Sequence, residues 1–205
     1  RSFWAALLGK WLTLLSEYES VDPRNPDLAY WYGERPLTGL LGAAAWQIGG
    51  WSLEEFGAGR WKKRLAETRQ GRGDLWLGCT RSDAIGEVTV EAKILWAYQD
   101  AHDTLKTAFD ERLKRARKQL RQLEPPDRVG EPFAVCYVVP CYAGPEGKQR
   151  GEGILARLAD QTRREGMATA THLATIGNIT DVDDKQRPMY PGVLLVADQA
   201  EWRDR

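Results

Sequence analysis

From Glu87 the chain alternates strictly: Val88, Val90, Ala92, Ile94 and Trp96 are apolar, and Glu87, Thr89, Glu91 and Lys93 between them are polar. A period of two is that of a β-strand with one buried face. Upstream, the run Asp74-Leu-Trp-Leu-Gly-Cys79 lies between Gly71-Arg-Gly73 and Thr80-Arg-Ser-Asp83, which predicts a second strand bounded by turn residues. With the connecting loop centred between Ser82 and Asp83, Asp74 falls directly across from Glu91, at about 5 Å between Cβ atoms. Lys93 looks out from the same face as Glu91, roughly 7 Å along the strand. Two carboxylates this close repel unless a shared proton or a cation relieves them, and a divalent metal is the obvious relief.

The same patterning sets out the rest of the chain. Trp4, Leu7, Leu8, Trp11, Leu12, Leu15 and Tyr18 recur at three and four, the stripe of an amphipathic helix over Phe3 to Tyr18 that is expected to dock on the main core. Residues 1–26 are therefore assigned to this helix and a Pro-bounded linker, and residues 27–205 to a single α/β domain. A second helix is predicted from Pro36 to Gln47, with Glu34 just before it and Gly49-Gly50 after its end. Trp51 to Phe56 reads as a strand, and Leu105, Phe109, Leu113, Ala116, Leu120 and Leu123 mark the buried stripe of a long helix over Asp100 to Leu123. Phe133 to Pro140 is continuously apolar, as in a central strand buried on both faces. A helix from Gly151 to Glu165 and strands at His172–Ile176 and Gly192–Ala197 close the domain. The element order predicts a mixed central sheet flanked by helices.

Composition narrows the chemistry. Among 205 residues, 29 basic and 29 acidic side chains cancel, which argues against a purely electrostatic nucleic-acid binder but leaves room for a local patch. Arg60-Trp61-Lys62-Lys63-Arg64 is such a patch, suited to phosphate contact and base stacking through Arg60, Lys62, Lys63 and Arg64, or else to an ordinary solvated surface around a half-buried Trp. Cys79, Cys136 and Cys141 have no metal-ligand spacing, so reduced thiols and a cytoplasmic setting are expected. No apolar run is long enough to span a membrane. Lys10 interrupts the apolar start, and no small-residue cleavage pattern follows, so a signal peptide is not expected; the native N-terminus is expected to lie elsewhere. The glycine-rich run from Gly144 lacks the spacing of a nucleotide-binding loop, and His102 and His172 stand in no hydrolase-triad motif. Asp181, Asp183 and Asp184 read as a solvated loop.

Asp74 at the head of one strand and Glu91-Ala92-Lys93 near the end of the next resemble the PD-(D/E)xK phosphodiesterase superfamily, the restriction-endonuclease-like nucleases. The resemblance extends by element order from about Glu34 to Tyr142, with Gly73 in the place of the family's proline. It implies a restriction-endonuclease-like core in which Asp74 and Glu91 hold Mg²⁺ (or Mn²⁺) and Lys93 positions or polarises the attacking water. Glu34 matches an acid that many members carry on the helix preceding the sheet, although a Glu there also suits a helix dipole. The implied activity is metal-dependent hydrolysis of nucleic acid, expected to be DNA cut internally, in defence or repair. A homodimer or a larger complex through the N-terminal helix is the expected assembly. Two other readings stay open: a non-catalytic nucleic-acid-binding or assembly subunit of the same fold, and an ordinary ion pair between Glu91 and Lys93 on an edge hairpin.

Overall fold

The computed structural model describes residues 3–21, 27–62, 67–79, 86–98, 102–143, 145–174 and 188–202, with the backbone alone at residues 61–62, 67–70, 102–103, 143, 145 and 188–189. Helices α1 (Phe3–Glu19) and α2 (Glu34–Gln47) precede strands β1 (Gly50–Lys62), β2 (Glu67–Cys79) and β3 (Glu87–Ala97). Helix α3 (His102–Leu120), strand β4 (Glu131–Pro140), the two-residue β5 (Tyr142–Ala143) and helix α4 (Pro145–Arg164) follow. Strands β6 (Ala168–Leu173), β7 (Pro188–Met189) and β8 (Gly192–Gln199) complete the order.

The main sheet has six strands in the order β1-β2-β3-β4-β8-β6. β3 and β4 are parallel and joined through α3, while the other neighbours are antiparallel, so the sheet is mixed. Its two faces are both covered. Phe133, Val135, Tyr137 and Val139 of β4 join the core under α1 and α2, and Ala134, Cys136 and Val138 join the core under α3 and α4. This is the alternation of a central strand buried on both faces.

Covering both faces also changes β3. Its apolar residues Val88, Val90 and Ala92 are buried as expected, but so are Thr89 and Glu91, because α3 lies over the face expected to meet solvent. The one-faced reading of β3 is therefore corrected: it is a central strand, and Glu91 has no exposed surface. The stripe Leu105, Phe109, Leu113, Ala116, Leu120 and Leu123 is buried throughout, and it is this stripe that seals β3.

Some boundaries move for local reasons. α2 begins at Glu34, which places that residue in the first turn, where its charge meets the free backbone N–H groups. α4 begins at Pro145, so most of the glycine-rich run is helical; Pro145 suits a first turn, and helix start there outweighs the low propensity of the glycines. β1 continues past Phe56 to Lys62, drawn on by pairing with β2 along its length. β6 ends at Leu173 and β8 runs to Gln199. Asp181, Asp183 and Asp184 lie outside the described residues.

α1 packs its stripe into the chain's own core. Leu7 and Trp11 have no exposed surface, and the Trp11 indole N–H donates to the Leu37 carbonyl at 3.2 Å. The far end of α1 is tied to β6 by Glu19 and His172, 3.1 Å apart and both 5 % exposed. No helix among the described residues is long and apolar enough to cross a membrane. Cys79, Cys136 and Cys141 are buried free thiols.

The buried pair makes stability depend on pH. Burial lowers the His172 pKa, an effect that the Glu19 carboxylate partly offsets. The unfolded chain therefore takes up this proton first, at about pH 6.5, and stability is lost as the pH falls through that value toward the folded one. Urea unfolding on either side of pH 6.5 should give a lower midpoint on the acid side, and His172→Gln should flatten that dependence. An equal pH dependence in the variant would remove His172 as its cause.

Candidate functional site at a fork between two strands

β2 and β3 pair only over Leu75–Gly78 and Glu87–Val90, from Leu75 opposite Val90 to Gly78 opposite Glu87. This is the register that a loop centred between Ser82 and Asp83 requires. Beyond Leu75 the N-terminal half of β2 stays with β1, whereas Glu91 to Ala97 of β3 stay with β4. The sheet therefore opens into a fork, and Asp74 and Glu91 are the first residues on its two arms.

Several features bring Asp74 to the crotch. In β1, Glu54 faces Leu75 and Phe56 faces Gly73, but Glu55 between them has φ 46°, a left-handed conformation that costs a non-glycine residue about 1–2 kcal/mol. The Glu55 carboxylate is held by Arg35 at 2.9 Å and Arg72 at 2.5 Å, which keeps this kink in place opposite Asp74. At Gly73 a Cβ would fall 2.2 Å from the Phe56 ring, so no side chain fits where the resembled family has its proline. Freed from the β1 ladder, the Asp74 carboxylate turns to β3 and accepts the Ala92 backbone N–H at 2.8 Å.

Lys93 and Glu34 meet Asp74 there. The Lys93 ammonium lies 3.5 Å from Asp74 Oδ2 and 3.7 Å from Glu34 Oε1, and it donates to the Ala92 carbonyl. Glu34 arrives from the first turn of α2, which the Thr38 hydroxyl steadies by donating to the Glu34 carbonyl at 2.9 Å. Burial raises the Glu34 pKa and Asp74 adds to the rise, while Lys93 and the Ile94 N–H oppose it. The structure thus brings Asp74, Glu91, Lys93 and Glu34 into one neighbourhood.

Glu91 is the most constrained member. Its Oε1 accepts from Arg60, and its Oε2 is buried with no hydrogen-bond partner among the described residues. Arg60 reaches it from β1 across the arm of the fork, and is itself held by the Arg72 carbonyl and, at 3.2 Å, by the Gln119 carbonyl of α3. A Cβ on Gly71 would come within 2.6 Å of Arg60 Cδ, so the glycine opens the path for the arginine stem. Burial, reinforced by Asp74, pushes the Glu91 carboxyl up to about 8, against the opposing pull of Arg60 and Lys93. Desolvation outweighs the ion pair, as it does for charges taken fully out of water.

Of the basic segment read from the sequence, Arg60 is turned inward to Glu91, with only 14 % of its side chain exposed. Lys63, Arg64 and the side chain of Lys62 lie outside the described residues. The role of Arg60 as a partner of Glu91 was missing from the sequence reading. The signal was present: continuing the alternation of β1 places Phe56, Ala58 and Arg60 on one face, and Phe56 and Ala58 belong to the core under α3, the face of Glu91.

The donor set suits a hard divalent cation. Among the described residues, no group of three His, Cys, Asp or Glu side chains is arranged to hold a metal ion by itself. Two carboxylates and water are, however, what Mg²⁺ commonly takes, and the partnerless Glu91 Oε2 is an acceptor still to be satisfied. Comparisons with protein-family models, curated proteins and solved structures gave no match.

The Arg60–Glu91 pair can be tested without any ligand. Replacing Arg60 by Met should destabilise the fold by about 3–5 kcal/mol well above pH 8, where the native pair is ionised and the variant must either bury an unpaired Glu91 charge or take up a proton. The loss should shrink as the pH falls below that value and Glu91 takes a proton. Adding Glu91→Gln should recover most of it. Denaturant unfolding in chelator reads all three; an unchanged Arg60→Met midpoint would show that the pair contributes nothing.

Proposed function

We propose that this chain is a metal-dependent nuclease with a restriction-endonuclease-like core, hydrolysing phosphodiester bonds in DNA. The observation that carries the proposal is the fork, where Asp74, Glu91 and Lys93 gather with Glu34 on a mixed sheet. That grouping supports the resemblance to the PD-(D/E)xK superfamily better than any one of the residues alone.

In this reading Asp74 and Glu91 hold Mg²⁺ or Mn²⁺, with Glu34 able to orient water beside them. When bound, the ion lowers the pKa of a coordinated water and offsets charge developing on the scissile phosphate. Lys93 keeps an ammonium within 3.5 Å of Asp74, where it orients the attacking water and stabilises anionic charge. Asp74 is fixed by the Ala92 N–H, so the carboxylate is set before substrate arrives. Glu91, buried and one oxygen short of a partner, gains most from a cation.

A second reading, a non-catalytic nucleic-acid-binding or assembly subunit of the same fold, draws its support from Arg60. A resident guanidinium on Glu91 already supplies counter-charge, as a retired metal site would need. Assembly through α1 would have to use its outward residues, because its apolar stripe is buried within the chain.

The purified protein should nick supercoiled plasmid with Mg²⁺ or Mn²⁺ and not with chelator. Lys93→Ala should slow cutting by at least about 10²-fold while the unfolding midpoint stays unchanged. Full activity in that variant would rule out the assigned role of Lys93. No cutting together with no metal binding by calorimetry would favour the subunit reading.

A further inference from the structure

Both chain segments that reach the acids also carry aromatic rings, and the rings meet. Trp31 lies three residues before Glu34, and Trp96 three residues after Lys93. Tyr190, entering from the segment before β8, bridges them: its ring centroid is 6.1 Å from that of Trp31 and 5.8 Å from that of Trp96. The Cys141 thiol interacts electrostatically with both Tyr190 and Tyr98, which sets a fourth ring close to the row. Trp31, Trp96 and Tyr190 are each partly exposed, and Tyr98 is 64 % exposed.

The row starts beside the acids. The Ile94 backbone N–H lies close enough to Glu34 to favour its charged form, and Trp96 shares a strand face with Ile94, about 7 Å farther along. Among the described residues, several charges near the fork are engaged within the chain. Arg60 is held by Glu91, Arg35 and Arg72 pair with Glu55, and on α3 Lys106 pairs with Asp110 and Arg117 with Asp198. With no net charge overall, long-range attraction for a duplex backbone is weak. Stacking on partly exposed rings is a contact that needs no charge and that every base can make.

We propose that this row of rings, from Trp31 through Tyr190 and Trp96 to Tyr98, binds the unpaired bases of single-stranded nucleic acid next to the acid site. The nuclease reading is needed only for cutting at that place; the stacking stands on the rings themselves.

The test is fluorescence anisotropy in chelator, with a short labelled oligothymidylate, an oligouridylate and a DNA duplex of equal length. A single strand should bind at least about tenfold more tightly than the duplex, and the two single strands together distinguish DNA from RNA. Tyr98→Ala should weaken single-strand binding roughly five- to a hundredfold, the loss of one stacked base, and Tyr98→Phe should restore it. Equal affinity for duplex and single strand, no binding of either, or native affinity in Tyr98→Ala would each overturn the proposal. Adding Mg²⁺ separates it from the nuclease reading. Ring-dependent binding without cutting leaves the stacking surface and removes the nuclease; cutting with unaltered binding in Tyr98→Ala does the reverse.

Discussion

Glu91 lies in the middle of a six-stranded sheet with no exposed surface, and its carboxylate has to be compensated there. A charge in such a place is tolerated only with a partner, a proton or a metal, and each of these draws other residues toward it. Arg60 is the partner this structure supplies, which explains why β1 extends so far and why Gly71 stands beside the arginine stem. The raised Glu91 pKa shows that this compensation is incomplete. Among the described residues the acid is paired through one oxygen and not through the other.

The fork follows from a competition between neighbours. β3 has β4 along its length, and β2 has β1, so the contact between β2 and β3 is the one that gives way. Where it does, backbone groups that would have joined a ladder are left for side chains. Asp74 takes the Ala92 N–H and Lys93 the Ala92 carbonyl. The same opening that weakens the sheet lets these polar side chains gather at its centre.

Much of this was legible in the sequence because it rests on local periodicity. The period-two run from Glu87 and the turn residues around Ser82 gave the register that sets Asp74 opposite Glu91, and the stripe from Leu105 to Leu123 is buried as read. What periodicity could not supply was the second layer. The polar face of β3 looks solvent-facing until α3 is laid across it, and α3 is packed there by residues distant in sequence. Arg60 reads as a phosphate contact or as a solvated surface charge because its neighbours Lys62, Lys63 and Arg64 are basic. Its inward turn depends on a glycine across the ribbon and an acid on a third strand. The helical start of α4 was hidden by glycines whose low propensity the fold overrides.

The ribbon of β1 and β2 beyond the fork pairs with nothing else in the sheet, and such ribbons are the strands most prone to zip in the wrong register. A slip of one residue would turn Arg60 to the opposite face and leave Glu91 as a lone charge in the core. The misaligned chain would thus be penalised at a point remote from the slip itself. A hairpin closed one step out of place would lack the counter-charge that the aligned ribbon brings to the acid at the fork.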